Sequence, residues 1–144
     1  MEVKVVENHM EYEDALEVRK KVFIVEQQVP EDLEIDEFED TSIHFVAYDQ
    51  GQAVGAGRLR KKGDDAKVER ICVIPERRGQ HIGGLIMRAV EAEAEKMGCE
   101  GLLLNAQCHA LPFYEKLGYI VTSDEFEEAG ISHVEMRKNL NTAQ

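Results

Sequence analysis

The sequence predicts an α/β domain, α+β in the arrangement of its sheet: a mixed, mostly antiparallel sheet of about six to seven strands with helices on both faces. Three observations carry that prediction. Short apolar strands alternate with amphipathic helical stretches; residues 43–73 read as a meander of three strands joined by two tight turns; and Leu102-Leu103-Leu104 is an unbroken apolar run of the kind found in a strand covered by helices. At 144 residues the chain fits a single domain, 1–144, able to bury well over half of its unfolded surface.

Taken in order, Val3, Val5 and Val6 mark the first strand. Ala15, Val18, Val22 and Val25 recur at helical spacing, with Leu16 and Phe23 widening the stripe and Glu13 or Asp14 in the first turn. Pro30 stops any helix before it, so the acidic stretch 31–40 is expected to be a loop or short helical turn, either solvated or lining an entrance for a cationic amine. Residues 43–48 form a strand, Asp49-Gln50-Gly51-Gln52 a hairpin turn, and the return strand passes through Leu59. Gly63-Asp64-Asp65 turns the chain into a strand carrying Val68, Ile71 and Val73. From Gly84 to Met97 the apolar spacing is helical, with Gly98 placed to end the helix. The strand at 102–104 follows, then a helix marked by Ala110, Phe113, Tyr114 and Leu117 and closed by Gly118, then closing strands at 119–122 and 131–136.

A net charge of −12 argues against nucleic acid and anionic membrane, whose binding needs a basic surface, and suits a cationic acceptor. No stretch approaches the roughly 18 apolar residues of a membrane span, and Met1 to Val5 lacks the start of a secretory signal, so the cytoplasm is the expected location. Cys72, Cys99 and Cys108 are odd in number and lack ligand spacing; buried free thiols are expected, with no disulfide and no metal.

The chemistry concentrates in residues 71–85, Ile-Cys-Val-Ile-Pro-Glu-Arg-Arg-Gly-Gln-His-Ile-Gly-Gly-Leu. A strand runs into a glycine-bearing turn and directly into a helix. Amides at a helix start have no intrahelical acceptor and their dipoles align, so they suit a pyrophosphate; glycines let it approach the main chain, and Arg78 adds a fixed positive charge. A plain strand-to-helix connection with a surface arginine is the competing reading.

The pattern Val73-x-Pro75-x-x-Arg78-Gly79-x-x-Ile82-Gly83-x-Leu85 resembles the acetyl-CoA motif of GNAT acetyltransferases, Arg/Gln-x-x-Gly-x-Gly/Ala. His81 stands where the middle glycine is expected, so its side chain must either point away from the pyrophosphate or touch it. Asn105-Ala106-Gln107 followed by Ala110-x-x-Phe113-Tyr114-x-Lys116-Leu117-Gly118-Tyr119 resembles the family's second block. Arg19-x-x-Val22-Phe23-x-Val25-Glu26-Gln27 and Gly130-Ile131-x-His133-x-x-Met136 are similar to the ElaA-like and YjcF-like members.

The resemblance implies the GNAT acyl-CoA N-acyltransferase fold and direct transfer of acetyl from acetyl-CoA, as co-substrate, to a primary amine of a small molecule or peptide. It implies a coenzyme site within residues 67–97 formed by Ile71, Cys72, Val73, Arg78, Gly79, Gln80, His81, Ile82, Gly83 and Gly84, with Asn105, Phe113, Tyr114 and Lys116 from the second block. Main-chain groups of Ile71 and Val73 would pair with pantetheine, and the Ile71 N–H would polarise the acetyl carbonyl. Tyr114 becomes the acid for the departing thiolate, its alternative being an aromatic on the buried face of its helix. Glu69, two residues before Ile71 and so expected on the same strand face, is the candidate base; its alternatives are a solvated carboxylate or a partner for Arg70. Glu26, His109 and His133 are candidates for the acceptor. Cys108-His109 is set aside as a nucleophilic dyad, because sequence neighbours seldom meet side chain to side chain. Two other readings stand beside this one: a CoA-sensing domain without turnover, favoured by His81, and an acyl-homoserine-lactone synthase, to which Arg19, Phe23, Glu34 and Asp36 are similar. A homodimer is one assembly compatible with the sequence.

Overall fold

The computed structural model describes residues 1–140; residues 141–144, the end of the expected domain, lie outside the described residues. Among the described residues the elements run β1 (Glu2–Val5), α1 (His9–Arg19), α2 (Glu31–Glu34), β2 (Ile43–Asp49), β3 (Gln52–Lys62), β4 (Asp65–Val73), α3 (Ile82–Lys96), β5 (Gly101–Gln107), α4 (Leu111–Lys116), β6 (Ile120–Val121), β7 (Phe126–Glu128) and β8 (Ile131–Asn139). One sheet holds all eight strands in the order β1-β2-β3-β4-β5-β8-β6, with β7 also on β8. β4 and β5 pair in parallel and the other pairs are antiparallel. The sheet is mixed and mostly antiparallel as expected, with β7 the strand the sequence did not signal: its Phe-Glu-Glu is too short and too polar to show a pattern.

Local chemistry explains the boundaries. Gln50 and Gly51 both have positive φ, 52° and 80°, which fits the two-residue turn whose twist matches a hairpin. α1 starts ahead of Glu13 because Asn8 Oδ1 accepts from the Glu11 amide (2.9 Å) while Glu11 Oε1 accepts from the Glu7 amide (2.8 Å), a reciprocal cap. Past Arg19 the helix continues as a π-helical segment, Lys20–Glu26. The wider turns carry Val25 off the buried stripe on which it was expected, and it stands 73% exposed.

Helices lie on both faces. α3 presses on β3 so closely that a Cβ on Gly55 would sit 2.6 Å from Ile86 Cδ1. Residues of β3 that alternate with these, Ala56 and Arg58, face α1 and the 31–40 segment. Phe45, Leu59, Ile74, Ile86, Leu102 and Met136 are among the fully buried core side chains.

Two irregularities open the sheet at its centre. β4 and β5 pair only from Asp65 with Gly101 to Val68 with Leu104; beyond that, β4 stays with β3 and β5 with β8, and the two diverge. β4 also bulges, since Arg58 pairs with Glu69 but Ala56 with Cys72, and the extra residue is accommodated with Arg70 at φ 60°. The bulge breaks the alternation that would have put Glu69 and Ile71 on one face. Glu69 lies with Arg58 on the α1 side, whereas Ile71 Cδ1 would meet a Cβ on Gly57 at 2.8 Å on the α3 side.

The acidic 31–40 segment is not a solvated loop. Three of its carboxylates, Glu34, Asp36 and Glu39, close around two fully buried guanidiniums while Glu31, Asp32, Glu37 and Asp40 stay exposed. Arg19 donates from Nε to Glu34 Oε1 (2.8 Å) and from Nη1 to Glu39 Oε2 (2.7 Å). Arg58 donates from Nη1 to Asp36 Oδ1 (2.8 Å) and Glu39 Oε1 (3.0 Å), and from Nη2 to Glu69 Oε1 (2.7 Å). Arg70 adds an ion pair to Glu34, Nε standing 2.8 Å from Oε2, and donates from Nε to the Glu34 carbonyl (3.2 Å). Sequence composition reads such a stretch as solvent-facing because the partners stand 15 or more positions away.

Burial pushes the Glu39 carboxyl up, but hydrogen bonds from Arg19 and Tyr12 outweigh it and hold it at about 2; against the same opposing burial, Arg58 keeps Asp36 and Glu69 below the usual carboxylate range. Carboxylates lowered in the folded state stabilise it above their unfolded pKa of about 4.3, and that contribution is lost as pH falls toward the folded value. The thermal midpoint, followed by circular dichroism, should hold between pH 7 and 5 and then drop steeply toward pH 2. Arg58→Met, which strands three carboxylates, should cost about 3–5 kcal/mol in urea denaturation.

Candidate functional site

Where β4 and β5 part, a cleft of ≈ 1450 Å³ extends from the start of α3 to the 31–40 segment and the β7–β8 hairpin. Glu26, Glu69, Ile71, Cys72, Val73, Arg78, Gly79, His81, Ile82, Gly83, Gly84, Asn105, His109, Phe113, Tyr114, Lys116 and His133, scattered over more than 100 positions, all line it. Gln80 does not; its side chain accepts from Arg77 Nε (2.9 Å).

At the α3 end the chain leaves β4, makes a 3-10 turn at Pro75–Arg77, and enters the helix through Gly79 at φ 81° and His81 at φ 65°. Among the described residues the main-chain amides of 79–84 have no acceptor. A Cβ on Gly79 or Gly84 would meet nothing within 4 Å, so this side of the turn is open; one on Gly83 would lie 3.1 Å from Phe113 Cζ, so that ring covers the other flank. The left-handed backbone at His81 explains why a glycine suits this position, and a histidine holds it at a cost in strain. The substitution leaves the amide row open.

Arg78 reaches across the cleft mouth. Its Nη1 and Nη2 donate to the two Glu26 oxygens (2.7 and 2.6 Å) and its Nε to the Val73 carbonyl (3.0 Å). Glu26, singled out for the acceptor, is thus at the α3 end, where it was carried by the π-helical segment. Arg88, one turn beyond Gly84 on the same face of α3, also lines the cleft; the i, i+4 spacing was a usable signal for it. Gln27 and Gln107, which exchange hydrogen bonds of 3.1 and 2.8 Å, line it too; both stand in the family-like stretches, but their pairing across 80 positions has no local signal.

Tyr114 sits at the centre, its ring edge-on to Phe113 (4.9 Å) and Tyr119 (5.9 Å). Burial pushes its pKa up, and among the described residues nothing hydrogen-bonds its hydroxyl. Burial likewise pushes the Cys72 thiol up to about 12, so it is neutral and unsuited to nucleophilic attack. Cys72 and Cys99 are buried as expected, but Cys108 is only half-buried; its Sγ lies 3.3 Å from Ser132 Oγ and 3.5 Å from Glu125, while His109 is not a partner.

On the opposite side Glu69 Oε1 accepts from Arg58 Nη2 (2.7 Å) and Arg60 Nε (3.1 Å), whereas Arg70 turns to Glu34 and Asp36. His133 Nδ1 lies 2.7 Å from the Ile131 carbonyl, which can only accept and so assigns a proton to Nδ1. Its ring stacks on Phe126, and Asn105 Nδ2 donates to Glu128 Oε1 (3.1 Å). Among the described residues no group of three or more His, Cys, Asp or Glu is arranged to hold a metal, and no helix is long and apolar enough to cross a membrane.

Comparison with known proteins fits this geometry. The family profile described as an acetyltransferase (GNAT) domain matches residues 6–140. The N-acetyltransferase YjcF of Bacillus subtilis is 47% identical over 140 residues, spanning 96% of this chain and 100% of that one. The crystal structure of Escherichia coli ElaA superposes with a TM-score of 0.85 at 24% identity, covering 96% of this chain and 100% of that one. An aminoglycoside 6'-N-acetyltransferase complexed with coenzyme A superposes with a TM-score of 0.78 at 17% identity, covering 100% and 99%.

The strain at His81 is testable apart from activity. His81→Gly should stabilise the fold by about 0.5–1 kcal/mol, and the β-branched His81→Val should destabilise it, in urea unfolding monitored by circular dichroism.

Proposed function

Because this chain belongs to the GNAT acetyltransferases, in the branch of YjcF and ElaA, we propose that it transfers the acetyl group of acetyl-CoA directly to a primary amine of a small molecule or peptide. The observation that carries this reading is the row of unpartnered amides at 79–84, opening onto a cleft that also contains the unpaired side of β4 and a buried phenol. A diphosphate fits there: aligned donors at the start of a 15-residue helix, open space at Gly79 and Gly84, and Arg78 and Arg88 alongside. The aminoglycoside enzyme of the same fold binds coenzyme A.

The residues divide the work by position. The Val73 carbonyl, in reach of Arg78 Nε, points away from β3 and is the acceptor for a pantetheine amide. Ile71 follows the bulge, where the ladder with β3 is interrupted, and its N–H is aimed at the acetyl carbonyl. Tyr114 donates its proton to the departing thiolate. Burial makes the phenol a weaker acid, but it also makes an unsolvated thiolate a stronger base, so the transfer remains matched. Glu69 is unsuited to take a proton directly from an ammonium, because Arg58 and Arg60 hold it ionised below the ordinary range. The amine therefore reacts from its neutral fraction, its proton leaving to water, and kcat/KM for the acceptor should rise tenfold per pH unit below the amine pKa of about 10.

Neither competing reading gains support. His81 leaves the amide row open, which removes the sequence feature favouring a sensor without turnover. Arg19, Glu34 and Asp36, similar to a lactone synthase pattern, are engaged in the buried ion network.

Tyr114→Phe should lower kcat by about 100-fold or more while leaving coenzyme affinity unchanged, since the ring still packs and only the hydroxyl is lost. Unchanged kcat across pH, with chemistry rate-limiting, would exclude Tyr114 as the acid. Arg78→Ala should weaken coenzyme A in calorimetry by about tenfold and leave pantetheine lacking phosphates unaffected. Absence of binding by either free or acetylated coenzyme sinks the proposal.

A further inference from the structure

On the acceptor side of the cleft the charge runs against that of the whole protein. Arg60 and Lys67 pair across β3 and β4, and so lie on one face of the sheet, the face of Glu69 and the 31–40 segment. Both line the cleft, and both side chains are only 15% exposed. Their donors are largely unspent. The Arg60 guanidinium lies flat over the Phe38 ring, 3.8 Å from its centroid, and hydrogen-bonds only through Nε, to Glu69. Among the described residues its Nη1 and Nη2 have no acceptor. Lys67 Nζ stands 3.5 Å from Glu69 Oε2 and makes no hydrogen bond.

Glu69 cannot neutralise both, because its Oε1 is already shared with Arg58. Across the connected cluster Arg19, Arg58, Arg60, Lys67 and Arg70 outnumber Glu34, Asp36, Glu39 and Glu69, so a cationic excess remains at the cleft wall in a chain of net charge −12. Half-buried donors that only water can otherwise meet favour an anion that reaches them. A guanidinium with only Nε engaged still presents the fork that a carboxylate or phosphate fills with two bonds. The β7–β8 hairpin contributes a carboxylate instead, Glu128, bonded by Asn105.

Building on the acetyltransferase reading, we infer that the acceptor is an amine that also carries an anionic group, a carboxylate or a phosphate, held by Arg60 and Lys67 while the amine faces Ile71 and Tyr114. This reverses the expectation drawn from overall charge, which suited a cationic acceptor. Lys67 lies opposite Arg60 and Ile71 opposite Gly57, three steps of the β3 ladder and so about 10 Å apart once the bulge is allowed for, so several bonds separate amine and anion in a substrate that spans the gap with the reach of these side chains.

Thiol release from acetyl-CoA, measured with matched acceptors, tests this. Pairs of 6-aminohexanoate with hexylamine and of 3-aminopropyl phosphate with 3-aminopropanol separate the two anion sources, and cadaverine supplies a second cation in place of the anion. At least one anionic member should exceed its neutral match by tenfold or more in kcat/KM, and cadaverine should be the poorest. Lys67→Gln should raise KM for the favoured anionic acceptor about tenfold, leaving its kcat and coenzyme affinity unchanged; Arg60→Gln should act in the same direction, and Lys67→Gln remains informative if Arg60→Gln unfolds. Equal or better use of the neutral or cationic members overturns this inference and leaves the acetyltransferase reading standing, as does coenzyme binding with no turnover of any anionic member. Failure to bind coenzyme brings down both.

Discussion

The burial of Arg19 and Arg58 is the constraint on which the rest of the architecture depends. A guanidinium taken out of water must have its N–H groups met by charged acceptors, and the sheet and α1 supply too few. The 31–40 segment supplies them: Glu34, Asp36 and Glu39 enter the interior and fix a stretch that has little apolar surface of its own. Hydrophobic burial alone would not hold this segment, since Leu33 is exposed and the helical turn at Glu31–Glu34 is too short to be stable by itself. The network therefore builds one wall of the cleft.

It also reaches the bulge. Arg70, held at positive φ, donates from Nη2 to the Leu33 and Glu34 carbonyls (3.0 Å each), and Glu69 beside it meets Arg58. The residue that disrupts β4 is thus pinned by the segment that covers it. Divergence of β4 and β5 then leaves main-chain groups facing a gap instead of a neighbouring strand, and backbone polar groups left that way need water or a ligand. The amide row at 79–84 continues the same condition around the turn into α3. What makes this chain a binding protein is a sheet that stops pairing at its centre while its core remains closed on both sides.

How much of this the sequence shows depends on the range over which each signal acts. The strands other than β7, α3, the hairpin at Gln50-Gly51 and the glycine-bearing turn at Gly79 were legible, because periodicity and turn chemistry are local. So was the gathering of residues from 71–84 and 105–116 at one cleft, since each comes from a contiguous stretch. The fate of 31–40 was not, because a carboxylate looks the same in sequence whether water or a buried arginine faces it. Glu26 was visible as a candidate, but its partner Arg78 lies 52 positions on, and the π-helical turns that aim it there leave no mark in the apolar spacing. The bulge at Arg70 hid in the same way, because an arginine at positive φ carries no turn signature, and it reversed the face assigned to Glu69 relative to Ile71.

These long-range pairings also link the two ends of the cleft through a single element. α1 buries Arg19 in the network at the acceptor side; its π-helical continuation presents Glu26 to Arg78 and Gln27 to Gln107 at the entrance to α3 and the end of β5. The chain can therefore not shift α1 to widen one end without disturbing bonds at the other. The bonds differ in kind, however. Arg19 is wholly buried and its carboxylate partners nearly so, whereas Glu26 and Arg78 are partly exposed, where screening leaves an ion pair little net strength. Strong fixation at the wall built by the 31–40 segment and weak, exchangeable pairing at the start of α3 follow from burial alone, and they place the yielding contact where the proposed diphosphate would displace or share it.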